Sequence, residues 1–359
     1  MKRIKRAALL LLINVLVLVP LVYGFEFYLR FTDVKRKLPP NGIVNGQMLT
    51  WGHPVKNNRF GFRERDFVTP KPPGVFRVLV LGDSLTWGAG LADDERYSNL
   101  LEQKLRAAYP RRNFEVLNFG VSGGPTIGER DLLNRIKDEV QPDLIVVGFC
   151  VNDPQPRSQD YSIEREAFEN YHARRLASLK YRLEMLGLPY TSDLIRKAIF
   201  GWAEKSGRIP TWNVALDRTY SKDSPDWKAF VEALRDIKST SDAMKLPTPI
   251  FVTLNQSGTT GSDYAHPSDA LQTIIRWCRL GEQAAAEVGF KTVDYEKEIP
   301  IELANDSMSV NVADGHPSAK LNQLYAKKLF GAVVEDLHLN DVDKTATIGK
   351  PSGPPSNMP

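Results

Sequence analysis

Four short segments carry the residue types needed to move an acyl group. Gly82-Asp83-Ser84-Leu85 closes an aliphatic run, Val78-Leu79-Val80-Leu81. A serine hydroxyl therefore follows directly on a buried strand, at the carboxyl edge where open α/β folds put their chemistry. Residues 118–124 (Asn-Phe-Gly-Val-Ser-Gly-Gly) and 150–153 (Cys-Val-Asn-Asp) end two further apolar runs, and Asp314-Gly315-His316-Pro317 lies near the far end. A serine hydroxyl is a weak nucleophile until a neighbouring base takes its proton. On its turn alone, Ser84 reads equally as a helix N-cap.

The chain has five histidines: His53, His172, His266, His316 and His338. His316 directly precedes the last apolar-periodic segment, so its ring belongs on the same rim as Ser84. A helix N-terminus beside it would favour the neutral, proton-accepting imidazole. Asp314 is near enough to orient that ring and stabilise its charged form, or else serves only the turn. His266 is the second candidate base but lacks an adjacent acid, and the other three read as surface residues. Attack on an ester carbonyl builds negative charge on oxygen, which needs donors already aimed at it. Three are available: the Ser84 and Gly123 backbone N–H groups and the Asn152 side-chain amide. Gly123 would let a substrate approach the backbone closely. Asn152, after an apolar strand, has little reason to be polar unless its amide points at something.

The elements that must hold these residues alternate. Strands are expected at 77–81, 114–119, 143–149, 249–254 and 291–294, with helices at 94–108 and 127–140 and a closing helix at 318–337. This α/β alternation implies parallel pairing with right-handed crossovers. In the closing helix Leu321, Leu324, Tyr325, Leu329, Val333 and Val334 share one side and should dock on the sheet. Residues 154–246 exceed what a crossover needs, and Trp202, Trp212 and Trp227 within them look exposed. This insertion reads as a lid or substrate-binding subdomain, or as plain helical padding. The organisation expected is a membrane helix at 1–30, a linker and lead-in at 31–74, the α/β domain at 75–338 and a disordered tail at 339–359. The two cysteines, Cys150 and Cys278, read as buried thiols.

The first residues bear on location. Lys2, Arg3, Lys5 and Arg6 precede an uncharged run from Ala7 to Phe25, close to the roughly 20 residues that span a bilayer as a helix. The basic cluster should stay cytoplasmic and send the rest across. The run is longer than a cleaved signal's apolar core and shows no small-x-small site. The reading is a single-pass anchor with its N-terminus cytoplasmic and the remaining chain extracytoplasmic. Net charge is +4, with four of the basic residues at the very start, so no basic stripe remains for nucleic acid. Composition, 42% hydrophobic and 25% charged, excludes a wholly disordered chain and a polytopic membrane protein.

Taken together, Gly82-Asp83-Ser84-Leu85, the glycine of 118–124, Asn152-Asp153 and the late Asp/His turn resemble the SGNH (GDSL) hydrolases, with all four blocks in family order over about residues 75–337. The resemblance implies a three-layer α/β/α sandwich with a five-stranded parallel, flavodoxin-like sheet. It also implies Ser84 as nucleophile, His316 as base, and Ser84, Gly123 and Asn152 as the oxyanion hole, with no metal and no cofactor. Two positions depart from the pattern. Cys150 stands where the third block usually has glycine, and Asp314 lies two rather than three residues before the histidine, with Ala313 at the usual place. Asn58-Arg59-Phe60-Gly61-Phe62-Arg63 and the anchor look like the family's bacterial cell-envelope branch. The implied substrate is an acylated small molecule or polysaccharide, most simply an O-acetyl ester on an envelope or exported carbohydrate. Acyl transfer to a sugar hydroxyl, and a non-catalytic glycan-binding role on the same fold, stay open. A two-metal phosphoesterase does not fit, because such sites converge several histidines and acids on two ions and one histidine here is well placed.

Overall fold

The computed structural model describes residues 2–155, 163–254 and 260–339. In chain order, helix α1 (Lys2–Thr32) is followed by a small antiparallel sheet of β1 (Gly42–Val44), β2 (Gln47–Thr50) and β3 (His53–Pro54). The alternating part then runs β4 (Val75–Gly82), α2 (Ser84–Trp87), α3 (Tyr97–Ala108), β5 (Asn113–Gly120), α4 (Thr126–Val140) and β6 (Leu144–Phe149). Four helices follow: α5 (Ile163–Met185), α6 (Pro189–Lys205), α7 (Trp212–Thr219) and α8 (Pro225–Ala243). The chain closes with β7 (Ile250–Thr253), α9 (Asp269–Val288), β8 (Lys291–Val293), α10 (Ile299–Glu302), the β9 (Ser309–Asn311)–β10 (Asp314–Pro317) hairpin and α11 (Ala319–Asp336).

The large sheet has five parallel strands in the order β5-β4-β6-β7-β8. Val78 to Leu81 and Leu144 to Val147 are wholly buried. Strands covered on both faces read as unbroken aliphatic runs for that reason. Helix α3 packs on α11, while α4 packs on α8 and α8 on α9. The result is helices on both faces of a parallel sheet, a three-layer sandwich. The chain leaves β4 toward β5 on one side and returns to β6 on the other, so β4 and β6 flank the point where strand order reverses. Crevices of open α/β sheets form there.

The chain divides into two compact units. The first joins Met1–Leu38 to Asp160–Arg218. The second joins Pro39–Gln159 to Thr219–Pro359 and contains the sandwich. In the first, α1 contains a 21-residue stretch, Leu12–Thr32, long and apolar enough to cross a membrane, a property shared by anchors and signal sequences. The expected 154–246 insertion is shared between the two units, because α8 buries Trp227, Phe230, Leu234 and Ile237 as part of the sandwich. Trp227, which looks exposed in the sequence, is therefore buried and packs 5.2 Å from both the Tyr220 and Phe230 rings. Trp202 is half exposed. Cys150 and Cys278 are both buried and form no disulfide. The tail from 340 onward lies outside the described residues.

The segment expected as lead-in is built into the sandwich. Asn58 Oδ1 accepts from the Phe60 and Phe62 N–H groups at 3.0 and 3.1 Å, folding a tight turn. That turn drives Arg63, 1% exposed, beneath the loop that follows α2. Its guanidinium donates to the Gly88 and Leu91 carbonyls at 2.7 and 2.6 Å, pairs with Asp93 at 3.0 Å and lies over the Trp87 ring. Burial, and then the nearby Arg96, lower its pKa to about 10, leaving it charged at neutral pH. Arg63→Ala would leave these buried carbonyls unpaired, and should cost about 2–5 kcal/mol of stability. A lowered urea midpoint at unchanged slope would register it; an unshifted midpoint would contradict this assignment.

Candidate active site

Strand β4 delivers Ser84 through a turn that only glycine permits. Gly82 has φ +156°, and a Cβ there would meet Thr86 Oγ1 at 2.1 Å and the Gly148 carbonyl at 2.8 Å. Asp83 caps α2, its carboxylate accepting from the Leu85 N–H at 2.8 Å and lying 3.3 Å from Ser84 Oγ. Asp83, not Ser84, is thus the N-cap, and the serine hydroxyl is left at the rim for other partners.

One of those partners is His316. Its Nε2 lies 2.9 Å from Ser84 Oγ, and its Nδ1 lies 2.5 Å from Asp314 Oδ1. Asp314 Oδ1 also accepts the His316 N–H at 3.0 Å, and Oδ2 accepts from the Trp51 indole at 2.6 Å. Serine, imidazole and carboxylate form one hydrogen-bonded chain across residues 230 positions apart in sequence. The pair sits on β10 rather than in a free turn, and Ser318 then caps α11 by accepting from Leu321. The candidate base hydrogen-bonded to Ser84 is His316; His266 lies exposed ahead of α9.

The electrostatics at this ring run opposite to the expected helix-end effect. Burial pulls the His316 pKa down, but the hydrogen bond and charge of Asp314, helped by Asp83, lift it above its usual value. For Asp314, burial acts upward, yet His316 and the Trp51 indole bring its pKa down to about 2. The nearby carboxylates outweigh any helix-end field at the imidazole.

Gly123 and Asn152 belong to the loops after the strands on either side of β4. Register sets Gly82 abreast of Gly120 and of Gly148, so all three strands end at one level. Gly123 takes φ +74°, a left-handed conformation suited to glycine. Asn152 is 9% exposed, and its Oδ1 accepts from the Cys150 thiol at 2.7 Å. With its carbonyl oxygen occupied, the amide NH₂ is what Asn152 has left to donate. The cysteine in the usual glycine position thus orients the asparagine. Among the described residues, no three His, Cys, Asp or Glu side chains converge as metal ligands.

Sequence reasoning assigned no role to four groups here. Trp51 comes from β2–β3, far from Asp314 in sequence and inside a segment expected as linker. Asp83 is buried, and desolvation raises its pKa. Glu129 and Asp153 are buried too, and desolvation together with the charge of Asp83 pushes both well above the carboxylate range. Glu129 had a legible signal: it falls on the apolar stripe of α4 with Leu132, Leu133, Ile136 and Val140.

The His316 ring should therefore titrate above 6.5, its ordinary value. Asp314 favours the charged imidazole, so Asp314→Asn should lower that midpoint. NMR titration of the ring protons reads both; an unmoved midpoint would mean the pair is not coupled.

Residues 80–324 match the GDSL-like lipase/acylhydrolase family. No curated protein matches the sequence. Among solved structures, the acetylxylan esterase Axe2 from Geobacillus stearothermophilus is 16% identical, with 73% of this chain and 93% of that one covered at a TM-score of 0.38. The acetyl xylan esterase AlAXEase is 15% identical, with 72% and 100% covered at 0.41. LAE5, an alpha/beta hydrolase from the metagenome of Lake Arreo in Spain, is 14% identical, with 72% and 94% covered at 0.40. The family match takes in more than half of the chain, from the end of β4 into α11, so this protein belongs to the GDSL-like lipase/acylhydrolase family and is an ester-hydrolysing enzyme.

Proposed function

We propose that the protein is a serine esterase whose nucleophile is Ser84 and whose base is His316. The observation that carries this reading is the 2.9 Å separation between Ser84 Oγ and His316 Nε2, with the ring's other nitrogen on Asp314. Ser84 Oγ attacks the ester carbonyl as its proton passes to Nε2. Asp314 holds the ring in the tautomer that accepts there and stabilises the imidazolium. The oxyanion is received by the Ser84 and Gly123 N–H groups and the Asn152 amide. Collapse expels the alcohol, which takes the proton from His316 and leaves an acyl-Ser84. Water, deprotonated in turn by His316, releases the acid and restores the serine.

In this reading α1 is an uncleaved single-pass anchor with its N-terminus cytoplasmic and the sandwich extracytoplasmic. Its support is the basic cluster before an uncharged run. The substrate is an acyl ester, most simply O-acetyl, on an envelope or exported carbohydrate, as the resemblance of 58–63 to envelope-branch sequences suggests.

Ser84→Ala and His316→Ala should abolish hydrolysis of p-nitrophenyl esters while leaving thermal unfolding intact, and Asn152→Ala should lower kcat by ~10²–10³. Near-wild-type rates in all three would overturn the assignment. Because only the neutral imidazole accepts a proton, kcat/KM should rise with pH through a midpoint above 6.5. Asp314→Asn should shift that limb to lower pH and slow the reaction by up to ~10⁴. Product analysis with an acceptor sugar distinguishes acid release from transfer.

A further inference from the structure

In the first unit the turn between α5 and α6 is fastened to α1 where the uncharged run Ala7–Phe25 ends. The Tyr23 hydroxyl donates to the Leu186 carbonyl at 2.8 Å, and Arg30 donates to the Gly187 carbonyl at 3.2 Å. Glu26, 2% exposed, accepts from the Tyr190 N–H at 3.1 Å and from the Thr191 N–H and hydroxyl, each at 2.8 Å. A carboxylate beside an apolar span is expensive unless its oxygens are filled by donors. The α6 N-terminus fills them here. The turn itself is stiff: the Leu188 N–H reaches back to the Leu183 carbonyl at 2.8 Å around Gly187, which has φ +74°.

What this turn presents is apolar. Tyr181, Met185, Leu186 and Leu194 are all exposed, Met185 at 71% and Leu186 at 58%. They adjoin the part of α1 whose own Phe27, Tyr28 and Phe31 face outward. Aromatic residues of this kind collect at the level of the lipid headgroups. Exposed Lys180, Arg182 and Lys197 flank the patch on α5 and α6, Lys180 lying 3.8 Å from Glu184 and Lys197 2.7 Å from Asp193. Apolar tips with basic flanks suit a layer that is acyl chain on one side and anionic headgroup on the other.

We infer that the α5–α6 turn is seated in the interfacial layer of the same bilayer that α1 crosses, with Met185 and Leu186 among the acyl chains. This rests on α1 being an anchor. The occupant of the patch is lipid, because the patch continues the surface α1 already offers to lipid and is held at that depth by the Tyr23, Glu26 and Arg30 contacts. The chain is thereby fastened at two points, a span and a wedge, which fixes the rotation of the unit about α1 as well as its depth.

The test uses the full chain in phosphatidylcholine–phosphatidylglycerol vesicles, with one nitroxide label at a time on Leu16→Cys, Leu186→Cys or Tyr171→Cys. All three sites are exposed, so the fold should tolerate them, and buried Cys150 and Cys278 should stay unlabelled in the parent protein. Tyr171 lies on α5 about 22 Å from the turn at 1.5 Å per residue. Relaxation by oxygen and by a water-soluble nickel chelate reports depth. Labels at Leu16 and Leu186 should show a several-fold loss of nickel accessibility relative to Tyr171, with oxygen accessibility raised. If Leu16 is in lipid while Leu186 is as nickel-accessible as Tyr171, the seating is overturned and the anchor stands. Lipid exposure at Tyr171 as well would put all of α5 on the bilayer and overturn a contact confined to the turn. Nickel accessibility at Leu16 would overturn the anchor, and the seating with it.

Discussion

Helix α2 lies flush against the ends of three adjacent strands, and the geometry of the site follows from that contact. A Cβ on Gly120 would meet the Trp87 backbone nitrogen at 2.4 Å, and one on Gly148 would meet Thr86 Oγ1 at 2.4 Å. With those atoms absent, the short helix sinks onto the sheet and is fastened by hydrogen bonds of Thr86 to the Tyr97 hydroxyl and of its carbonyl to Asn118. Ser84 is thereby held at the level where the loops after β5 and β6 also emerge. Any larger residue at these strand ends would lift the helix and part the serine from both loops.

The charge distribution around Ser84 is graded. Asp314 stays ionised because an imidazole, an indole and a backbone N–H all serve its carboxylate. Glu129 and Asp153 are driven toward the neutral acid by burial near Asp83. Neutral acids at those positions limit the negative charge beneath a serine that, in the proposed chemistry, must carry an oxyanion nearby. The ionised Asp314, helped by Asp83, raises the affinity of His316 for a proton, which in the proposed chemistry suits a base that carries one through each tetrahedral intermediate.

Much of the support for this rim comes from residues before the first long strand. Arg63 binds the carbonyls of the loop after α2, Glu64 accepts the Asn118 N–H at 2.9 Å, and Trp51 reaches Asp314. The Asn58–Arg63 segment is therefore a buttress of the turn that carries Ser84. A buried guanidinium is tolerated because carbonyls, a carboxylate and an aromatic face surround it.

The sequence by itself determined the five parallel strands, the helices between them and the segments that meet at the sheet edge. Those features are written in short-range pattern: aliphatic runs closed by glycine, and apolar residues at helical spacing. Glu129 could have been found in the same way, as an acid on an apolar stripe. Only the tertiary structure decided that Trp51 donates to Asp314, that Trp227 is buried, that Cys150 holds the Asn152 carbonyl oxygen, and that His316 is more basic than a free histidine. Trp51 and Asp314 are 263 residues apart, a pairing no local periodicity encodes, and the others depend on how burial and turn geometry aim side chains that are near in sequence.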